Sequence, residues 1–250
     1  TLHATLPLAA ERGRVPGHLA ALNALSLTAP EAPPPDPSHL FRHVITRDVT
    51  YELMPLAQRQ PLHRAVAEWL EREHAEDLEP HCALLAYHWA RALDAVKTVG
   101  YLERAGQQAL RSGAFTEALL FFSQAIELDR GGKVATDAVR RAFWQKGLGT
   151  AHYFLGDLAK SRTHLEAAVG LLDRPVPVAG AKVLGGMLAA AFEQALHRLF
   201  PKRYLGRRVP ERAALDEAAE CYRTLGQIYY LDGEPAPRLV YVTLRGVNVG

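Results

Sequence analysis

Apolar residues recur with a helical period through most of this chain. In 61–73, Leu62, Ala65, Val66, Trp69 and Leu70 share one face, while His63, Arg64, Glu68, Glu71 and Arg72 turn outward. Phe115, Ala118, Leu119, Phe122, Ala125 and Ile126 make a second such stripe, and Leu158, Leu165, Ala168, Val169 and Leu172 a third. The same period predicts helices at 80–93, 96–111, 136–154, 181–199, 211–231 and 236–248. Pro55 and Pro61 suit helix starts, because a proline at the first helical position gives up a donor that has no partner there. Linkers are expected at Asp129–Gly132, at Asp173–Pro177 and from Pro201 to Pro210.

The N-terminal fifth reads differently. The stretch 30–37 holds five prolines and cannot be helical. Leu25–Thr28 and His39–Arg42 alternate on either side of it and predict a small hairpin with a proline-rich tip. A short helix opened by Pro16 precedes them, and this order is that of a winged-helix module. The expected fold is therefore mostly α: a partial winged helix over 1–56 (hairpin about 25–42), then a tetratricopeptide-like α-α superhelix over 57–250. Its helix pairs fall at about 96–128, 136–172 and 211–248, with an inserted helix at about 181–199.

The repeat rests on three glycine pairs, each with a spacing of seven: Gly106 and Gly113, Gly149 and Gly156, Gly226 and Gly233. Ala118, Phe122 and Ala125 follow the first pair at the offsets where Ser161, Leu165 and Ala168 follow the second. Tyr222, Leu225, Gly226 and Tyr229 fit the opening of a tetratricopeptide unit, and Leu148, Gly149 and His152 fit it in part. Small residues let antiparallel helices approach, a large one fills the space between them, and the second glycine takes the turn. The repeat-packing set is thus Gly106, Gly113, Ala118, Phe122, Gly149, Gly156, Leu165, Tyr222, Gly226 and Tyr229.

Composition narrows the function. Forty Ala and 37 Leu against 3 Ile and 17 Val favour helix. A formal charge of +2 gives no general polyanion-binding character. Cys82 and Cys221 alone make no disulfide framework, which suits two buried thiols in a cytoplasmic protein. Lys182, Glu193, His197 and Arg198 interrupt the most apolar stretch, 178–200, so no membrane span is expected. There is no Walker-type phosphate loop, nucleophile elbow, zinc-protease helix or kinase signature. His81 and His88, seven apart, are expected on one helix face, where packing is a better account than metal. The basic stretch 198–212 reads as a solvated loop with the capacity to meet phosphate or an acidic partner.

A resemblance carries the reading further. Residues 41–52 (Phe-Arg-His-Val-Ile-Thr-Arg-Asp-Val-Thr-Tyr-Glu) are similar to a signature at the end of the winged helix in STAND-type signalling ATPases. Leu62–Glu68 resembles that family's "Leu-His-Arg" helix. Leu85–Trp89 with Tyr101–Gly106 resembles its first helical-repeat segment. His197–Pro201 and Leu205–Arg208 resemble a later stretch of bacterial members, several of which carry a class III adenylate/guanylate cyclase domain upstream. The resemblance implies a non-catalytic regulatory and protein-interaction segment of a larger ATPase, coupling nucleotide state to a partner or ligand on the repeats. It implies that His43 senses nucleotide through the β-phosphate of ADP. No catalytic residue, metal or cofactor is expected in this segment; ATP or ADP and Mg belong to the implied upstream domain, and the partners are that domain and a protein or peptide. A start at Thr1 and an end at Gly250 fit a segment of something longer. Two alternatives stand beside this reading: a DNA-binding winged-helix regulator, disfavoured because helix 16–25 carries no Lys or Arg, and a freestanding peptide-binding repeat protein.

Overall fold

The computed structural model describes residues 13–32, 38–177, 180–199 and 212–249. The fold is mostly α, with eleven α-helices and one two-stranded sheet among the described residues. The chain divides into two compact units, Thr1–Thr98 and Val99–Gly250.

In the first unit, α1 (Val15–Ala24) leads into β1 (Thr28–Ala32), which pairs antiparallel with β2 (Ser38–Phe41). The first strand lies three residues later than the alternation predicts, because Leu25–Leu27 are used up in the turn that closes α1. The strand therefore includes Pro30, which is tolerated in an edge strand that needs no N–H there. The register shifts between Pro30 and Ala32. The proline-rich tip, 33–37, lies outside the described residues. Thr28, buried, donates its hydroxyl to Asn23 Oδ1 at 2.6 Å and ties the hairpin to α1.

Next come α2 (Val44–Leu53), α3 (Leu56–Glu73), a 3-10 turn (Glu79–His81) and α4 (Cys82–Arg91). Pro55 caps α3, but Pro61 lies inside it rather than starting a helix. An interior proline costs on the order of 3 kcal/mol, and burial further along the same helix offsets it. The buried face of α3 keeps only Leu70 of the predicted stripe: it consists of His63, Ala67 and Leu70, so a histidine expected outward points in. Trp89 is buried with its indole N–H donating to Glu71 at 3.0 Å; Lys97 holds the same carboxylate at 2.8 Å and lies over the indole ring.

α5 (Ala95–Ser112) contains the division between the units, and α6 (Phe115–Arg130), α7 (Ala138–Phe154), α8 (Leu158–Leu171), α9 (Gly180–Leu199), α10 (Arg212–Leu231) and α11 (Ala236–Val249) follow. Helix α6 runs through Asp129 and Arg130, which the composition assigned to a linker. The predicted linker 201–210 and the motifs that reach into it lie outside the described residues. In this unit α7 packs on α6 and α8, and α10 packs on α7, α8 and α11, with α9 against α11. The core gathers Leu165, Val169, Cys221, Tyr222, Leu225, Ile228, Tyr229 and Val242, all buried.

The second unit repeats the aromatic–carboxylate–cation arrangement seen at Trp89. Trp144 donates to Glu103 at 2.6 Å, and Arg140 binds that carboxylate with two nitrogens. Tyr229 donates to Glu166 at 2.5 Å between the guanidiniums of Arg162 and Arg238, which lie 4.8 and 4.9 Å from its ring centre. Each buried polar tip is thereby satisfied by a charge-assisted bond.

Candidate functional site

Three sequence segments that carry the family resemblance meet at one hydrogen-bonded chain. Tyr51 is the penultimate residue of the 41–52 signature, on α2, His63 is the histidine of the "Leu-His-Arg" helix α3, and His88 belongs to the Tyr-His-Trp stretch on α4. Tyr51 Oη lies 2.9 Å from His63 Nε2, and His63 Nδ1 lies 2.9 Å from His88 Nδ1. Helical spacing places these groups. His63 projects from the face that also buries Ala67 and Leu70, while His88 sits one residue before buried Trp89.

Cations and rings surround the chain. Arg59 lies 4.5 Å from the Tyr51 ring centre, and its guanidinium donates to the Met54 and Glu52 carbonyls, fastening the end of α2. Arg91 covers Tyr87 at 3.6 Å, and Tyr87 sits edge-on to both imidazoles. The electrostatics follow. Burial, then the neighbouring His63, then Arg91 push His88 down to about 4. His63 is lowered by burial first, then by Arg91 and Arg59. Both imidazoles are therefore neutral at pH 7, and no carboxylate is hydrogen-bonded to either among the described residues.

His43 caps α2 through its backbone. Its carbonyl accepts from Thr46 and Arg47, while its exposed side chain makes no capping bond. His81 and His88 do not share a helix face: His81 ends the 3-10 turn and stacks on His74 with ring centres 3.8 Å apart, while His88 turns to His63. The change from 3-10 turn to α-helix between His81 and Cys82 separates the two registers. No group of three potential metal ligands exists among the described residues.

The six glycines of the three pairs fall into two sets. Gly113, Gly156 and Gly233 adopt φ of +79°, +81° and +66° after α5, α7 and α10. Each turn has the same bonding, with Ala114 N–H reaching Ala109, Asp157 reaching His152 and Glu234 reaching Tyr229. Three turns of this kind escaped the glycine search because Ser26, Leu93 and Asp173 occupy the left-handed position, at +57°, +58° and +57°.

The first glycines of the pairs differ among themselves. A Cβ on Gly106 would stand 2.7 Å from the Phe122 ring, and one on Gly149 would stand 2.6 Å from Leu165. In each case the filling residue comes sixteen positions later. At that offset from Gly226 stands Val242, too short to fill the space, and a Cβ there would meet nothing nearer than 3.8 Å. Tyr222 and Tyr229 are buried in the core beside Val242, and Ala118 is buried on α6. The unfilled space at Gly226 opens into a groove of about 1030 Å³ along α10 and α11, walled by Tyr153, Arg223 and Tyr230 and floored by Ala219, Gly226 and Gly246.

No model of a known protein family matches this chain, and no curated protein matches it. No helix is long and apolar enough to cross a membrane among the described residues.

Proposed function

We propose that this chain is a regulatory and protein-interaction segment of a larger signalling ATPase, with no chemistry of its own. The observation that carries the reading is the convergence of the 41–52 signature, the "Leu-His-Arg" helix and the Tyr-His-Trp stretch on the Tyr51–His63–His88 chain. Segments that respond together to a bound nucleotide need such a physical connection, because a ligand shifts only those elements whose contacts differ between two states. In this reading His43, at the head of α2, contacts the phosphate of ADP held by an upstream domain. The helix pairs receive a protein or peptide, with the α10–α11 groove as one place for it, and the working compartment is the cytoplasm.

The test uses the complete polypeptide that carries this segment. His43→Ala is expected to speed ADP release by about tenfold or more, the loss of one charge-assisted hydrogen bond. The 250-residue chain alone is expected to turn over no ATP. A complete polypeptide that retains no ADP, or ATP turnover by this chain in isolation, overturns the proposal.

A further inference from the structure

We propose that His63 and His88 form a one-proton latch: in its present geometry the pair accommodates a single added proton, and a second forces it apart and releases Tyr51 of α2 from α3. This inference concerns the first unit alone and does not depend on what the chain binds.

The argument begins with the Nδ1–Nδ1 distance of 2.9 Å, which leaves room for one hydrogen between the rings. With both rings neutral, the chain can run in either direction. Tyr51 O–H can donate to His63 Nε2 while His63 Nδ1–H donates to His88, or His88 can donate inward and His63 Nε2–H can donate to the Tyr51 oxygen. One added proton on His63 satisfies the same geometry, with N–H donors toward both His88 Nδ1 and Tyr51 Oη. A proton on each ring cannot fit, because two N–H groups then face each other across the short contact.

The surroundings offer that second charge no relief. α2 presents the Tyr51 hydroxyl, α3 presents Arg59, and α4 presents Tyr87 and Arg91. Glu52, the carboxylate on this end of α2, is turned to Arg59 with its side chain 72 % exposed. On the far side of α3, Arg64 lies over Trp89, and Glu71 is occupied by Trp89 and Lys97. Both imidazoles hold their protons less tightly than a free histidine, in keeping with this setting.

The mechanical consequence follows from what holds α2. This helix buries no residue, so apolar burial does not secure it. Its attachment to α3 runs through the Tyr51–His63 bond and through Arg59, which lies over the Tyr51 ring and binds the Glu52 and Met54 carbonyls. Turning His63 away from His88 breaks the first of these and leaves the Tyr51 hydroxyl to water.

The isoleucines report on this cleanly: Ile45 lies on α2, while Ile126 and Ile228 lie in the second unit. The full chain, carrying His43→Gln in place of the imidazole beside Ile45, is labelled at the isoleucine methyls and the histidine rings and titrated by NMR from pH 7.5 to about 3, below the value of about 4 to which His88 is pushed. The expected result is an Ile45 methyl that stays in place through uptake of the first proton by the His63–His88 pair and shifts with the second, with Ile126 and Ile228 stationary. His88→Gln removes the Ile45 response. Tyr51→Phe, which leaves the pair intact, also removes it while the two rings still titrate. The proposal is overturned if both rings take up protons with Ile45 stationary, if Ile45 responds equally in His88→Gln and Tyr51→Phe, or if Ile45 stays in place until the whole chain unfolds.

Discussion

Glycine in this chain has meanings that sequence spacing alone does not separate. Gly147 was in no predicted pair, yet a Cβ there would lie 2.5 Å from the Phe122 ring, which Gly106 already crowds from α5 at 2.7 Å. Phe122 is fully buried and cannot swing away. Gly147→Ala is therefore expected to destabilise the fold by about 1–3 kcal/mol, the range for overpacking a filled core. Gly226→Ala is expected to stabilise by up to about 1 kcal/mol, since the space is open and alanine is the better helix former. Urea unfolding of the two variants checks the pair, and equal destabilisation by both would refute the distinction. His63 shows the same limit from the polar side. Its position on the helical wheel was legible, but its burial was not, because the groups that satisfy its two nitrogens stand 12 and 25 residues away.

At the scale of elements, the helical period was enough to find the helices, since each must bury one face whatever it packs against. Boundaries were less legible where a residue's local preference lost to packing. Pro61 continues a helix it should begin, and β1 starts at Thr28 because the turn after α1 consumes the residues before it. Turns were legible where glycine marks them, or prolines as at 173–177, and not at Leu93. The turn after α4 places Leu93 at φ +58° with the residue 66 % exposed, so the left-handed strain is carried with little packing in return. Leu93→Gly is expected to raise stability by about 1 kcal/mol, read as a higher urea midpoint at unchanged m-value. A lower midpoint would mean that Leu93 makes contacts worth more than its strain.

For the whole molecule, four histidines set the response to acid. His63, His88, His152 and His164 all have lowered folded pKa values, in each case through burial first. Such groups cost nothing above about pH 6.5, where they are neutral folded and unfolded alike. Below that the unfolded chain binds protons the folded chain refuses, so stability falls, and for His88 it goes on falling until about pH 4. Asp129, held down chiefly by its hydrogen bond from Arg141, acts in the same direction at lower pH: its contribution is present above about 4 and is lost as pH falls through its depressed value. The urea midpoint, followed by tryptophan fluorescence, should be level from pH 8 to 7 and decline from 6.5 to 4.5. A flat midpoint over that range would show that the histidines are not buried neutral in solution.

The sequence by itself determined the mostly helical class, the helix positions and the glycine turns, because these depend on the spacing of apolar residues and on φ values that favour glycine. Only the tertiary structure decided which spaces are filled and which polar groups meet. Phe122 is held between glycines on two different helices, and Val242 leaves the space at Gly226 open. The Tyr51–His63–His88 chain exists because three helices bring distant residues within 2.9 Å of one another, a juxtaposition that no local pattern encodes.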